Sequence, residues 1–251
     1  MENGASQSTD DGRGIAIMGI PIGATSSSIT ALGEQYRAIT QNLANASTNG
    51  YKAQRTAFSQ VLRESQVAVE TSQYVDFTQG SLVHTGRALD LAINGEGFFV
   101  IESPEGEKYT RNGAFRPNVN GQLVNGLGEL LAGENGPVTL PPNAGEGNIN
   151  VDQQGNIRVN GLQVGKVRVV TFENAGALVP VGGGAFTAPD NINPDDAENY
   201  AVIQGHQESS NVSMVEELVG LITVTRLYEA NTKTITAQDE RLKTLLSVAM
   251  A

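Results

Sequence analysis

The sequence predicts an α+β protein in which long helices at the two chain ends form a coiled-coil or helical-bundle layer, with an antiparallel all-β domain between them. Three observations predict it. Near the start, Ile29, Leu32, Tyr36, Ile39, Leu43 and Ala46 recur at alternating steps of three and four. Near the end, Met214, Leu218, Leu221, Tyr228, Ile235, Leu242, Leu246 and Ala249 fall on one seven-residue frame, the narrow apolar stripe by which one helix seats on another. Between them the chain is glycine-rich and punctuated by Asn-Gly pairs, a short-range signal for tight hairpins.

Taken in order, Met1 to Gly14 are polar, acidic and rich in Gly and Ser, which predicts disorder. Ile15 to Ala24 has the length of a signal-peptide core, but Gly19, Pro21 and Gly23 interrupt it and no small-x-small cleavage site follows. The first helix is expected to begin among Thr25, Ser26, Ser27 and Ser28, all favoured caps, and to end near Asn49-Gly50. Gly33 inside it costs about 1 kcal/mol relative to Ala, so packing must stabilise the helix. Lys52 to Gln66 could continue as helix, and Val67 to Thr78 reads as extended. From Leu82 onward apolar residues alternate with polar ones, and Gly97-Phe98-Phe99-Val100-Ile101 reads as a buried strand. Asn-Gly at Asn94, Asn112, Asn120, Asn125, Asn135 and Asn160 suggests type I′ turns between short strands. Ser213-Met-Val-Glu216 has the spacing of a capping box and opens a helix on the order of 50 Å long, too long for a small β module to cover.

Composition excludes several functions. A net charge of -11 argues against nucleic acid and anionic membrane surfaces, which need clustered Lys and Arg. No apolar run approaches the roughly 18 to 20 residues of a membrane-spanning helix. The absence of Cys leaves the redox compartment open. His84 and His206, the only histidines, lack the i, i+4 spacing of helical metal ligands and read as surface residues. There is no Gly-x-Ser-x-Gly elbow and no Gly-x-Gly-x-x-Gly loop, and the carboxylates of Asp190 to Glu198 miss the positions of a calcium loop. Neither a catalytic residue nor a cofactor or metal site is expected.

Three stretches carry a family resemblance. The first is Asn42-Leu-Ala-Asn45-Ala-Ser47-Thr48-Asn49-Gly50-Tyr51-Lys52. The second is Ala88 to Val100, with Gly95, Gly97, Phe98 and Phe99, followed by Tyr109-Thr-Arg-Asn-Gly113-Ala-Phe115. The third is Glu208-Ser-Ser-Asn211-Val212-Ser-Met-Val-Glu216-Glu217, running into Arg226-Leu-Tyr228-Glu-Ala-Asn231. In this order they resemble the axial proteins of the bacterial flagellum, the rod, hook and hook-associated family. The resemblance implies a structural component of the basal-body rod, with a proximal rod protein favoured and a distal rod or hook protein as alternatives. It implies a drive shaft carrying torque from motor to hook, in a rod that spans the periplasm after export by the flagellar type III apparatus. Its partners would be copies of itself, neighbouring rod and hook proteins and that apparatus, with no nucleic acid and no membrane insertion.

On this reading residues 1–17 are a disordered extension or mis-annotated start before Met18, and 18–66 an N-terminal helical rod segment. Residues 67–207 are the β-rich domain and 208–251 the C-terminal helix. The expected assembly interface is Ile29, Leu32, Tyr36, Ile39, Leu43 and Asn45 with Leu218, Leu221, Tyr228, Ile235, Leu242 and Leu246. Phe58 and Leu62 fit the Phe-x-x-x-apolar pattern associated with the export gate. Two rivals remain. A β-rich adhesin or binding module on a helical stalk requires exposed aromatics, for which Phe98, Phe99, Tyr109 and Phe115 are the candidates. An enzyme requires a large apolar pocket with convergent polar groups.

Overall fold

This computed structural model describes residues 22–63, 66–142 and 144–250. The expected extension at 1–17 and the alternative start at Met18 lie outside the described residues. So does most of the interrupted stretch Ile15 to Ala24.

Helix α1 (Ile22–Ala44) is already formed before the Thr25 to Ser28 run, so these residues sit in its first two turns and not at its cap. Ser27 instead turns its hydroxyl to the hairpin beneath, accepting the Val69 amide at 3.2 Å. The helix stops at Ala44, and the turns that follow end at Gly50, whose φ is +68°. A Cβ at Gly50 would lie 2.3 Å from the Asn112 amide nitrogen, so this turn requires glycine for both its conformation and its clearance.

The helix does not continue through Lys52 to Gln66. Strands β1 (Gln54–Arg63) and β2 (Gln66–Val75) form a ten-residue antiparallel hairpin, in register from Gln54 opposite Val75 to Arg63 opposite Gln66. The β-branched residues Thr56, Val61, Val69, Thr71 and Val75 suit a pleated ladder, and each half supplies the other's backbone partners.

The β region starts with β3 (Leu82–His84), β4 (Leu91–Gly95), β5 (Phe98–Ser103) and β6 (Gly106–Thr110). Short strands follow: β7 (Arg116–Pro117), β8 (Leu123–Val124), β9 (Leu130–Gly133), β10 (Gly136–Pro137), β11 (Ile149–Val151), β12 (Asn156–Val159) and β13 (Leu162–Lys166). The remainder are β14 (Val169–Thr171), β15 (Val179–Gly182), β16 (Ala185–Thr187), β17 (Asp195–Asp196), β18 (Tyr200–Gln204) and β19 (His206–Glu208). The largest sheet is antiparallel, curled, and ordered β15-β16-β6-β5-β9-β8-β7 along its main path, with β14 also joined to β5. Strand β5 divides the core because successive side chains point to opposite faces. Phe99 and Ile101 enter a cluster with Leu91, Leu123, Leu131 and Ile157. Phe98 and Val100 enter another with Tyr109, Val170, Phe172 and Phe186.

Only one of the six Asn-Gly pairs adopts the positive-φ pair of a type I′ turn: Asn160 (φ 53°) with Gly161 (φ 83°), joining β12 to β13. Much of the remaining turn chemistry is a five-residue loop used three times, at Asn118 to Gln122, Asn125 to Glu129 and Asp152 to Asn156. In each, the first side-chain Oδ1 accepts the amides two and four residues on, at 2.9 to 3.1 Å. The first residue's amide bonds the carbonyl of the fifth, and glycine fills the fourth place. A local side-chain acceptor thus replaces a hairpin's backbone geometry.

Strand β18 pairs with β4 and β19 with β3, returning the chain beside its N-terminal motif, where α2 (Met214–Ala249) begins. The expected capping box is not formed. Ser213 makes no side-chain cap bond, Glu216 points to solvent, and Glu217 turns inward.

The expectation of an α+β fold with a coiled-coil or bundle layer is overturned. The chain is mostly β, and the described residues hold two α-helices that make a single side-by-side contact. That contact is Leu32 and Ile39 against Val224, flanked by Leu221. Val224 is 2% exposed although it lies off the seven-residue frame, whereas Tyr36, Leu218, Tyr228, Leu242 and Leu246 are 43 to 62% exposed on it. The reason is that α1 also rests on the β1–β2 hairpin. Its buried stripe, Ala31, Leu32, Ala38, Ile39 and Asn42, is therefore the wide face of a helix on a mixed surface, not a narrow seam.

Candidate functional site

The two chain ends meet in a buried polar junction. Asn42, on the last turns of α1, accepts the Gln54 amide at 2.8 Å and the Tyr51 hydroxyl at 3.2 Å through Oδ1. Its Nδ2 donates to the Gln54 carbonyl at 2.8 Å and to Glu217 Oε1 at 3.1 Å. Arg55 reaches the same Glu217 oxygen at 2.9 Å. One side chain of α1 therefore fixes the start of the hairpin and the first turn of α2 together.

Beside it, Asn211 accepts the Ala53 amide at 2.8 Å and donates to the carbonyls of Asp76 and Thr78 at 2.8 and 3.1 Å, clamping both ends of the hairpin. Asn49 donates to Gln207, and the Gly50 amide donates to the Glu208 carbonyl at 2.7 Å. Deeper, Glu208 is completely buried. It takes the Lys52 ammonium and the Gly80 amide on Oε1, at 2.6 and 2.9 Å, and Arg111 Nη1 on Oε2 at 3.4 Å. Arg111 also donates to the carbonyls of Ile93 and Gly95 and lies 5.4 Å from the Phe98 ring centre, while its Nε is buried without a partner. Burial pulls the Lys52 ammonium below its ordinary value, with Glu208 opposing. Burial, assisted by the Glu217 charge, pushes the Tyr51 phenol up to about 12.

Of the motif residues, Asn42, Gly50, Tyr51 and Asn211 thus meet in the junction, and Gly95 supplies a carbonyl to it. Asn45 accepts the Thr48 hydroxyl at 3.1 Å within the turn, and Ser47 is exposed. Gly97, Phe98 and Phe99 belong to the β core. Val212 is half-buried, Glu216 and Tyr228 are exposed, and Asn231 caps the Leu227 carbonyl of its own helix at 3.0 Å.

Of the expected interface residues, Leu32 and Ile39 are buried within the chain. Ile29, Leu43, Leu221 and Ile235 are half-buried. Phe58 is 47% exposed, and the Leu62 side chain lies outside the described residues. Phe58 lines a groove of about 430 Å³ with Ala31, Leu32, Val69, Leu227 and Asn231, where α1, the hairpin and α2 adjoin.

Lys52, Arg111, Glu208 and Glu217 were not singled out from sequence, though each stands in or beside a motif stretch. A charged residue inside an otherwise apolar or Asn-rich motif was the available signal.

These groups hold structure, while α2 leaves Leu218, Ile222, Leu242, Leu246 and Val248 uncovered. Such an architecture defines a structural subunit. Residues 92–159 match the family model described as flagellar hook protein FlgE/F/G D1 domain, and residues 203–248 that described as flagellar basal body rod FlgEFG protein C-terminal. The flagellar basal-body rod protein FlgG of Buchnera aphidicola subsp. Schizaphis graminum is 31% identical over 239 residues, 82% of this chain and 91% of its own. FlgG of Agrobacterium fabrum is 33% identical over 235 residues, with 80% and 88% covered. The rod protein FlgF of Caulobacter vibrioides is 31% identical over 206 residues, with 78% and 83% covered. The chain belongs to the flagellar basal-body rod protein family: a structural, non-enzymatic component of the basal body.

Proposed function

We propose that the subunit polymerises through its terminal helices into the rod, as part of the shaft that carries torque from motor to hook, at a proximal position. The observation that carries this reading is the uncovered apolar surface of α2. Leu242, Leu245, Leu246, Val248 and Met250 are 46 to 86% exposed within a few turns, and large apolar side chains left uncovered together mark an interaction surface. Identical subunits joined by non-identical patches whose rotation does not close build a helical filament. Helices α1 and α2 would supply the inner layer and the β region from Leu82 onward the outer one. Export through the type III apparatus, with Phe58 and Leu62 as its recognition pattern, completes the reading.

The adhesin alternative loses its support, because Phe98, Phe99, Tyr109 and Phe115 are all buried. The test is a Leu242→Asp strain. The purified variant should keep the wild-type β-sheet spectrum and melting temperature while the cells fail to incorporate it and do not swim. Wild-type motility would reject the proposal.

A further inference from the structure

Strands β3 and β19 bring the chain's two histidines face to face: His84 and His206 are directly paired residues of the antiparallel ladder. Their ring centres are 4.8 Å apart with planes inclined at 59°. We propose that this pair is a two-imidazole site for a borderline divalent transition-metal ion of the Zn2+, Cu2+ or Ni2+ class, bracing β19 against β3 immediately before the Glu208 junction.

Geometry supports it first. With a metal–nitrogen bond of about 2.0 Å, each ring centre stands roughly 3.2 Å from the ion, so two imidazoles about 100° apart have centres about 5 Å apart. The observed 4.8 Å between ring centres falls in that range. The second support is tautomeric. His206 Nδ1 lies 2.9 Å from the Gln204 carbonyl oxygen, which can only accept, so Nδ1 carries the proton and Nε2 keeps its lone pair. A ring nitrogen donating to a backbone carbonyl is how metal-binding histidines are oriented.

The third support is access. His84 is exposed, and a Cβ at Gly86 or Gly205 would lie 3.8 Å from its Nε2 or Nδ1 respectively, so with glycine at both places no side chain from either stands over the ring. The nearby carboxylate, Asp90, is engaged by Arg87 at 2.6 and 2.8 Å and by the Thr85 hydroxyl at 2.6 Å. Among the described residues no third His, Asp or Glu side chain completes a cluster with them. The remaining coordination positions are therefore filled by water. Imidazole donors select Zn2+, Cu2+ and Ni2+ over Mg2+ and Ca2+, which prefer oxygen.

The chain makes the test clean, since it holds two histidines and no cysteine. Untagged full-length protein is titrated with Cu2+ alone and the bound imidazoles are counted by pulsed electron paramagnetic resonance. One ion per chain carrying two imidazole nitrogens is expected. His84→Ala and His206→Ala should each leave one imidazole and weaken binding about tenfold or more. A variant-free check is the 15N spectrum of the imidazoles on adding Zn2+, in which both rings should shift together. A wild-type copper centre with one imidazole or none, or rings that respond independently to Zn2+, would overturn the proposal.

Discussion

The ammonium of Lys52 sits 2.6 Å from the carboxylate of Glu208, both side chains almost wholly removed from water, so a charge pair joins the two chain ends before α2 begins. Arg111 of the β region shares the same carboxylate, which makes Glu208 the single anion between two buried cations. Burying such charges gains little net stability, but removing one member leaves the others uncompensated and costs about 3 to 5 kcal/mol. Glu208→Gln is therefore expected to lower stability to urea by that amount, and Lys52→Met combined with it to recover part of the loss. A loss below about 1 kcal/mol, the scale of a surface pair, would show that the junction does not depend on this charge.

Two glycines of the N-terminal segment should respond in opposite directions to the same substitution. Gly50→Ala places a Cβ against the Asn112 backbone at a φ of +68°, and should destabilise by about 2 kcal/mol or more. Gly33 lies within α1 and an added methyl there meets nothing within 4 Å, so Gly33→Ala should stabilise by about 1 kcal/mol. Thermal melts of the two variants compare the effects directly: a destabilised Gly33→Ala would contradict the helix argument and an unshifted or stabilised Gly50→Ala the turn argument.

Tyr51 gives the junction an alkaline limit. Its phenol titrates near 12 in the folded chain against 10.0 as the ordinary value, so the folded state holds the proton more tightly. The resulting stability, on the order of 2 kcal/mol, is fully present below pH 10 and is lost as pH rises through 12. Lys52 acts in the opposite sense. Its value is lowered on folding, so the unfolded chain binds more protons between that lowered value and 10.5, and stability rises with pH there. Comparing urea midpoints of wild type and Tyr51→Phe from pH 9 to 12 separates the two. Burial also raises the Tyr109 and Tyr200 phenols, so the variant should show a shallower alkaline decline and not a flat one, and identical profiles would rule out Tyr51 as a source.

Local signals were legible in the sequence where one residue type has one physical use. Gly50 was readable as a left-handed position after the first helix, and Phe98 to Ile101 as buried strand. Partnerships decided by distant chain were not. Gln54 to Arg63, within the stretch expected to continue as helix, takes strand form because Gln66 to Val75 lies opposite it, a pairing no local pattern announces. The seven-residue frame misassigned the helix contact because α1 packs on the hairpin as well as on α2, which shifted burial to Val224. His84 and His206 each looked solitary until the ladder set them opposite one another. The Asn-rich loops were visible as turns, but their type depends on whether an Asn bonds its own following backbone, as Asn118 and Asn125 do.

The division of α2 into a covered and an uncovered part yields the sharpest contrast. Val224 is 2% exposed between Leu32 and Ile39, whereas Leu246, further along the same helix, is 62% exposed. Val224→Asp places an unpaired carboxylate in the helix contact. It should detach α2 from α1 in the isolated chain, at a cost of several kcal/mol, with faster amide exchange along both helices. Leu246→Asp falls on a mostly exposed position and should change the melting free energy by less than about 0.5 kcal/mol. If the uncovered end of α2 is where the next subunit docks, both variants abolish incorporation into the rod, but only Val224→Asp alters the free protein. Normal rods built from Leu246→Asp subunits would show that this end carries no assembly contact, whatever the monomer measurements gave.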